Sequence, residues 1–249
     1  MKISILGSGT LHPVAGQASA GLVVETGGEL LGFDMGRGVL NRYAEAGLDP
    51  LKLKYLHLTH LHPDHCCDIV PLLFALRYAP EPARTEPLHI TAPEGLGNLL
   101  ENLRRGWKWL EPPYPLHLRE AEECEFEEGG AKIKTAFLDH GSMANLGYRV
   151  DAEGKSVVYT GDTERGEGLL NLAKGANILI SECSFTDAQA QAAHMAPSRL
   201  GQIARAAEVE RLIITHLYPR TDPGVVEQEV RNHYDGDVVM GSDGLDLEL

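Results

Sequence analysis

Ligand-type side chains are densest in Thr59-His60-Leu61-His62-Pro63-Asp64-His65, a run with the pattern H-x-H-x-D-H directly after the apolar stretch Lys54-Tyr55-Leu56-His57-Leu58. Crowded imidazoles repel one another when protonated and need partners when neutral, so a shared cation is the simplest way to satisfy them. Imidazole nitrogen and carboxylate oxygen suit zinc and its first-row neighbours. Side chains alternate along an extended segment, which sends His60 and His62 to one side. Pro63 then bends the chain, so Asp64 and His65 face a second position. A lone histidine at a strand end is ordinarily a core or surface residue, and a histidine tract can be an accident of composition. Four ligand-type residues at this spacing, placed where a strand ends, point instead to a metal site.

Three more ligand-type residues recur at strand ends. His140 follows Ile133–Asp139, Asp162 follows Ser156–Gly161, and His216 follows Arg211–Thr215. Each is a weak signal alone, but layered α/β folds assemble sites from such loops, and with the first cluster they complete two coordination spheres. His194 lies just before a helix marked by Pro197 near its start and by Leu200, Ile203, Ala204 and Ala207 on one face. The start of that helix would favour an anion. His12, in the loop Gly7–Pro13, is expected to stay outside the site. Cys66, Cys67, Cys124 and Cys183 form no C-x-x-C pair. They are read as reduced, mostly buried thiols and not as metal ligands.

The elements that must position these residues are legible from periodicity. Residues 2–7, 20–26 and 29–33 read as strands, with Gly27-Gly28 as a hairpin turn. Asp34-Met35-Gly36-Arg37 is expected to open a helix that runs to about Gly47. Ile69, Leu72, Leu73 and Leu76 mark a helix that Val70 and Phe74 make apolar nearly all round, so it is buried or part of a homodimer interface. A strand at 88–91, a helix at 93–105, and strands near 116–119, 124–126 and 131–138 follow. Trp107, Trp109, Pro112, Pro113 and Tyr114 form a loop that either caps a pocket or builds a small satellite core.

With 249 residues and 43% hydrophobic content, the chain fits one domain spanning 1–249. The first residues lack the features of a signal peptide and no segment could span a bilayer, so a soluble, cytoplasmic protein is expected. The formal net charge of -14 is the wrong field for a polyanion. A small-molecule substrate is therefore expected over a large RNA.

Leu6-Gly7-Ser8-Gly9-Thr10, Phe33-Asp34-Met35-Gly36, the H-x-H-x-D-H run, Asp139-His140-Gly141, Tyr159-Thr160-Gly161-Asp162-Thr163, Thr215-His216-Leu217 and Ser242-Asp243-Gly244 together resemble the motifs of metallo-β-lactamase-fold hydrolases. The resemblance is greatest to the ribonuclease Z and phosphodiesterase branch and covers nearly the whole chain. It implies an α/β, four-layer αββα sandwich with two divalent metal ions, zinc first and manganese or iron as alternatives. One metal would take His60, His62 and His140, the other Asp64, His65 and His216, with Asp162 bridging. His194 and Asp64 are the implied catalytic residues, His194 helping the leaving group and orienting the scissile phosphate. Asp34, Asp243 and Glu182 are the acids available to receive the ligands' outer N–H groups.

Ribonuclease Z enzymes that process transfer RNA carry a long arm between the third ligand motif and the bridging aspartate. Here the interval from His140 to Asp162 reads as one hairpin turning at Glu153-Gly154-Lys155. The short interval and the acidic charge argue independently against a transfer-RNA substrate. The sequence thus reads as a dinuclear hydrolase of a small phosphodiester or nucleotide end. An ester, thioester or lactone hydrolase and a non-catalytic metal-binding module are the alternatives.

Overall fold

The structure is a computed structural model that describes residues 1–80, 83–164 and 166–249. It begins with an antiparallel meander of β1 (Lys2–Gly7), β2 (Gly21–Thr26) and β3 (Glu29–Phe33). The chain continues through α1 (Val39–Glu45), β4 (Tyr55–His57), the single turn α2 (Pro63–Cys66), α3 (Ile69–Arg77), β5 (Leu88–Ala92), α4 (Leu96–Gly106) and β6 (Leu116–Glu120). Strands β3 to β6 pair in parallel.

The second half repeats the plan. β7 (Glu125–Glu128), β8 (Ala131–His140), β9 (Met143–Ala152) and β10 (Lys155–Tyr159) are antiparallel. Next come α5 (Glu167–Ala173), β11 (Ile178–Glu182), α6 (Pro197–Ala206), β12 (Arg211–Thr215), α7 (Pro223–Arg231) and β13 (Asp237–Met240), with β10 to β13 parallel. β14 (Leu245–Glu248) returns to pair antiparallel with β1. The two seven-stranded sheets run β14-β1-β2-β3-β4-β5-β6 and β13-β12-β11-β10-β9-β8-β7.

Alternation along the strands turns this order into four layers. Ile3 and Ile5 of β1 join Ile178 and Ile180 of β11 and Ile213 of β12 in the core between the sheets. Their neighbours Leu179, Leu212 and Ile214 point the other way, onto α5, α6 and α7. On the first sheet Val23, Leu56 and Ile90 pack against Tyr43 of α1, Leu72 of α3 and Leu100 of α4. The expected αββα sandwich is therefore the observed one.

Three details differ from the sequence reading or sharpen it. Helix α1 starts at Val39 and not at Asp34, because the backbone amides of Met35 and Gly36 bond to the carbonyls of His65 and Ala20. Asp34 itself lies at φ 56°. The interval after His140 contains only β9, β10 and their turns. The β9–β10 turn is the two residues Glu153 and Gly154 at φ 55° and 72°, the double left-handed geometry of a tight hairpin. The tryptophan loop is a satellite of the first core: Trp109 packs edge-on against Phe74 of α3 and stacks on Trp107.

Candidate metal centre

Seven side chains from five segments of the chain meet at one edge of the sandwich. His60 and His62 come from the loop after β4, Asp64 and His65 from α2, His140 from the end of β8, Asp162 from the loop after β10, and His216 from the loop after β12. His60 Nε2 lies 3.0 Å from His62 Nδ1, which lies 3.3 Å from His140 Nε2. In the second group His216 Nε2 is 3.4 Å from His65 Nε2 and 3.5 Å from Asp64 Oδ2. Asp162 lies between the groups. Its Oδ1 is 3.3 Å from His65 and 3.5 Å from His216, and its Oδ2 is 3.8 Å from His140. Among the described residues, the two triplets suggested by the sequence are two of five such groups that converge here; the others join Asp162 to His60 and His65, Asp162 to His140 and His194, and Glu182 to His194 and His216.

Two glycines let the loops approach this closely. A Cβ on Gly36 would sit 2.0 Å from the carbonyl oxygen of Asp64, and one on Gly161, at φ 57°, would sit 2.4 Å from Thr59 Oγ1. Backbone strain gathers here as well. Asp34, Ala193 and His216 adopt φ of 56°, 71° and 61°, a conformation that costs a non-glycine residue on the order of 1 kcal/mol or more. His216 is held in it by the hydrogen bond that its backbone N–H donates to the Ser8 carbonyl at 2.8 Å.

The outer ring nitrogens decide which atoms face inward. His65 Nδ1 donates to Asp34 at 2.7 Å and His140 Nδ1 to the carbonyl of Ala193 at 2.7 Å. His216 Nδ1 donates to Ser184 Oγ at 3.1 Å and His60 Nδ1 to Thr59 Oγ1 at 3.0 Å. With Nδ1 carrying the proton, each Nε2 presents a lone pair to the centre. Lone pairs facing lone pairs at these distances repel unless a cation lies among them.

Electrostatics point the same way. Burial, and then the neighbouring His65, push the His60 pKa well below its ordinary value, and burial with His140 lowers that of His62. Burial raises the carboxyl pKa of Asp162, but His216 and His65 outweigh it and hold the group well below the usual carboxylate range. Asp64 is likewise lowered, burial being outweighed by its contacts with His216 and His65. Neutral imidazoles and ionised carboxylates are the forms that bind metal. His65 is the exception: burial pulls it down, but the Asp162 and Asp34 carboxylates raise it well above normal. Asp162 Oδ1 is buried without a hydrogen-bond donor, a state that costs free energy unless a cation satisfies it. Six nitrogen or oxygen ligands in two triplets, with a carboxylate reaching both, fit a pair of divalent cations.

Beside the centre, His194 Nδ1 donates to Glu182 at 2.9 Å and lies 4.0 Å from Asp162. Burial lowers its pKa, but the hydrogen bond and charge of Glu182 more than reverse this, so the ring is raised above its ordinary value. Ser184 ties the arrangement together, donating to Glu182 at 2.6 Å while its oxygen accepts from His216. The anion site expected at the start of α6 is not open, because Asp187 already caps the Ser198 amide at 3.1 Å and its hydroxyl at 2.9 Å.

Of the acids expected to orient ligands, Asp34 serves His65, while Glu182 serves His194 and the Thr163 amide. Asp243 contacts no imidazole; it accepts from the Ser8 and Ala18 amides and braces the loop that holds His216. Among the described residues no cysteine joins a ligand cluster. Cys66 and Cys183 are buried, whereas Cys67 is exposed. His12 belongs to none of the ligand clusters; its ring meets Tyr218 edge-on at 5.2 Å. The sequence reading missed Ser184 and Tyr159, whose hydroxyl donates to Asp34 at 2.8 Å. Neither residue type carries a positional signal.

This fold and this convergence of histidines and aspartates define a class, and the chain belongs to it: the model described as a Beta-lactamase superfamily domain matches residues 32–217. Within the superfamily it falls in the ribonuclease Z and phosphodiesterase-like branch. It is 31% identical to Ribonuclease Z of Mycobacterium avium (strain 104) in an alignment of 272 residues that covers 98% of this chain and 96% of that protein. The metallo-beta-lactamase fold protein YhfI of Bacillus subtilis superposes with a TM-score of 0.87 at 25% identity, covering 100% of this chain and 99% of that one. Human tRNase Z, short form, gives 0.81 at 22% identity with the same coverage. The protein is a metal-dependent hydrolase of this fold.

Proposed function

We propose that the protein is a dinuclear phosphodiesterase acting on small phosphodiesters or nucleotide ends. The observation that carries this reading is Asp162, buried between two complete donor triplets with one oxygen toward each, next to a histidine held by a carboxylate. His60, His62 and His140 would hold one divalent cation, Asp64, His65 and His216 the other, and Asp162 would reach both. Zinc suits the all-nitrogen and oxygen set, with manganese or iron as alternatives. When bound, the pair would supply positive charge at the phosphoryl oxygens and a water acidic enough to attack near neutral pH.

The chain's own contribution is position and proton supply. Asp34, Ser184 and the Ala193 carbonyl fix the ligand rings. Glu182 orients His194 through Nδ1, which leaves Nε2 to protonate the departing oxygen as the bond to phosphorus breaks. Phosphorus is favoured over carbon by this histidine and by the likeness to Ribonuclease Z. A small substrate is favoured by the bare hairpins between His140 and Asp162 and by the net charge of -14. The same likeness favours a second reading, cleavage of RNA ends.

Metal content per chain and a substrate panel test these readings together. Near two equivalents of metal and turnover of bis(p-nitrophenyl) phosphate well above p-nitrophenyl acetate and a homoserine lactone are expected. A preference for the ester or lactone would overturn the phosphodiesterase reading. Efficient cleavage of a precursor transfer RNA would favour the second one. Metal binding without turnover of any of these would leave a binding module.

A further inference from the structure

A cavity of about 450 Å³ adjoins the metal centre on the side of His194 and is lined by His12, Phe185, Gln189, Gln191, Tyr218 and Arg220, among others. We propose that this cavity is the subsite for the nucleobase of the substrate, with Phe185 and Tyr218 as its specificity-determining residues. The assignment rests on the phosphodiesterase reading and adds to it that the ester is a nucleotide.

Position comes first. The Phe185 ring centroid is 5.7 Å from that of His194, and the Tyr218 ring is 5.9 Å from His194 and 6.2 Å from His216. The cavity therefore opens one ring's width from where the scissile group would sit, the reach of a nucleoside whose phosphate lies at the metals. Its wall is aromatic. Phe185 and Tyr218 stack at 4.6 Å with an interplanar angle of 29°, and His12 meets Tyr218 edge-on at 5.2 Å. Such a pair offers a planar face to any base.

Its rim is polar. Gln189 accepts from Thr186 at 3.1 Å, which leaves its NH2 to donate, and Gln191 carries both a donor and acceptor for a base edge. Arg220 adds positive charge in an acidic protein. The volume falls within the range of small-ligand sites, about 300 to 1,000 Å³.

The wall is also rigid and tied to the catalytic loops. The Tyr218 amide and the Thr221 hydroxyl both donate to the Ser184 carbonyl, at 3.1 and 2.9 Å. Ser184 in turn contacts Glu182, His194 and His216. A base stacked on Tyr218 would thus rest on the same two loops that place His194 and His216.

Isothermal titration calorimetry of the metal-loaded protein with adenosine 5′-monophosphate, ribose 5-phosphate and phenyl phosphate tests the proposal. The nucleotide is expected to bind at least about tenfold more tightly than ribose 5-phosphate, the scale of one base–aromatic stack. In Phe185→Leu and Tyr218→Leu that ratio is expected to fall toward one. Circular dichroism and the unfolding midpoint would identify a variant that fails to fold. Gln191→Ala, at an exposed position, then supplies an independent check by changing the preference among adenine, guanine and pyrimidine nucleotides. Equal affinity for nucleotide and ribose phosphate, or no binding of either, overturns the subsite. Phenyl phosphate binding as tightly as the nucleotide overturns the nucleobase assignment. A base preference without turnover of bis(p-nitrophenyl) phosphate would remove the phosphodiesterase reading alone, and turnover without a base preference would remove the subsite alone.

Discussion

His194 donates a hydrogen bond from Nδ1 to Glu182 and stands 4.0 Å from Asp162, so its contribution is best separated from theirs by the leaving group. His194→Ala is expected to lower kcat by about 10²-fold or more on a phosphodiester with an alkoxide leaving group, the usual scale for general acid catalysis. The loss is expected to be much smaller with p-nitrophenolate, which departs without a proton, and bound metal is expected to be unchanged. Equal losses on both substrates, measured by steady-state kinetics, would assign His194 a structural role. Asp34 acts one step further out, accepting from His65, Tyr159, the Thr59 amide and the Thr59 hydroxyl. Asp34→Asn is expected to weaken metal affinity about 10- to 100-fold, read by competition with a chromogenic chelator. The imidazoles and carboxylates were legible in the sequence because their types and spacing are costly without a cation. Ser184 was not, since a serine between two loops looks like any other until the fold brings it against His194 and His216.

At the scale of elements, the ligands sit where they do because strands running in the same direction, whether or not they pair in parallel, end at one edge of the sandwich and release loops there. That much followed from apolar runs ending in His or Asp, and β8, β10 and β12 deliver His140, Asp162 and His216 accordingly. What periodicity did not reveal was that residues 34–37 stay out of α1. Their backbone is claimed by long-range bonds to His65 and Ala20, which no local pattern records. Nor did it reveal that Asp187 occupies the start of α6. Gly36 belongs to the same irregular segment and touches the backbone of Asp64, where a methyl group cannot fit at 2.0 Å. Gly36→Ala must push α2 away from the 34–37 segment. It is expected to cost about 1–3 kcal/mol of stability, the usual price of overpacking, and to displace Asp64 and His65 together. Metal stoichiometry is the decisive readout, because a variant destabilised by this amount yet still binding both equivalents would show that the approach does not set the site.

Across the whole molecule, the two sheets meet over an apolar core into which β4 sends a polar ring, His57. Its ring is buried, stacks on Phe33 at 4.8 Å, and has no hydrogen-bond partner on either nitrogen. Glu128, from β7 of the opposite sheet, approaches only to 3.6 Å and bonds instead to Arg119 at 2.8 Å. Burial, reinforced by the Arg119 charge, pushes the His57 pKa from 6.5 down to about 3. The unfolded chain therefore takes up a proton here as the pH falls through 6.5, whereas the folded protein resists until about 3. Stability from this group is thus lost on acidification across that window, by up to about 1.4 kcal/mol per pH unit. Glu128, raised by burial against the pull of Arg119, acts in the opposite direction in the carboxylate range. If the sandwich unfolds as one cooperative unit, as a single domain would, this local penalty must appear in the global transition. Urea unfolding between pH 7 and 4.5 is expected to show a steeper loss for the wild type than for His57→Phe, whose ring keeps the stack on Phe33 and has nothing to protonate. Acid protonation of the metal ligands affects both proteins alike and cancels in the difference. Parallel curves would mean that His57 reaches solvent or a proton acceptor in solution, and that the two sheets part more readily at β4 and β7 than their shared core implies.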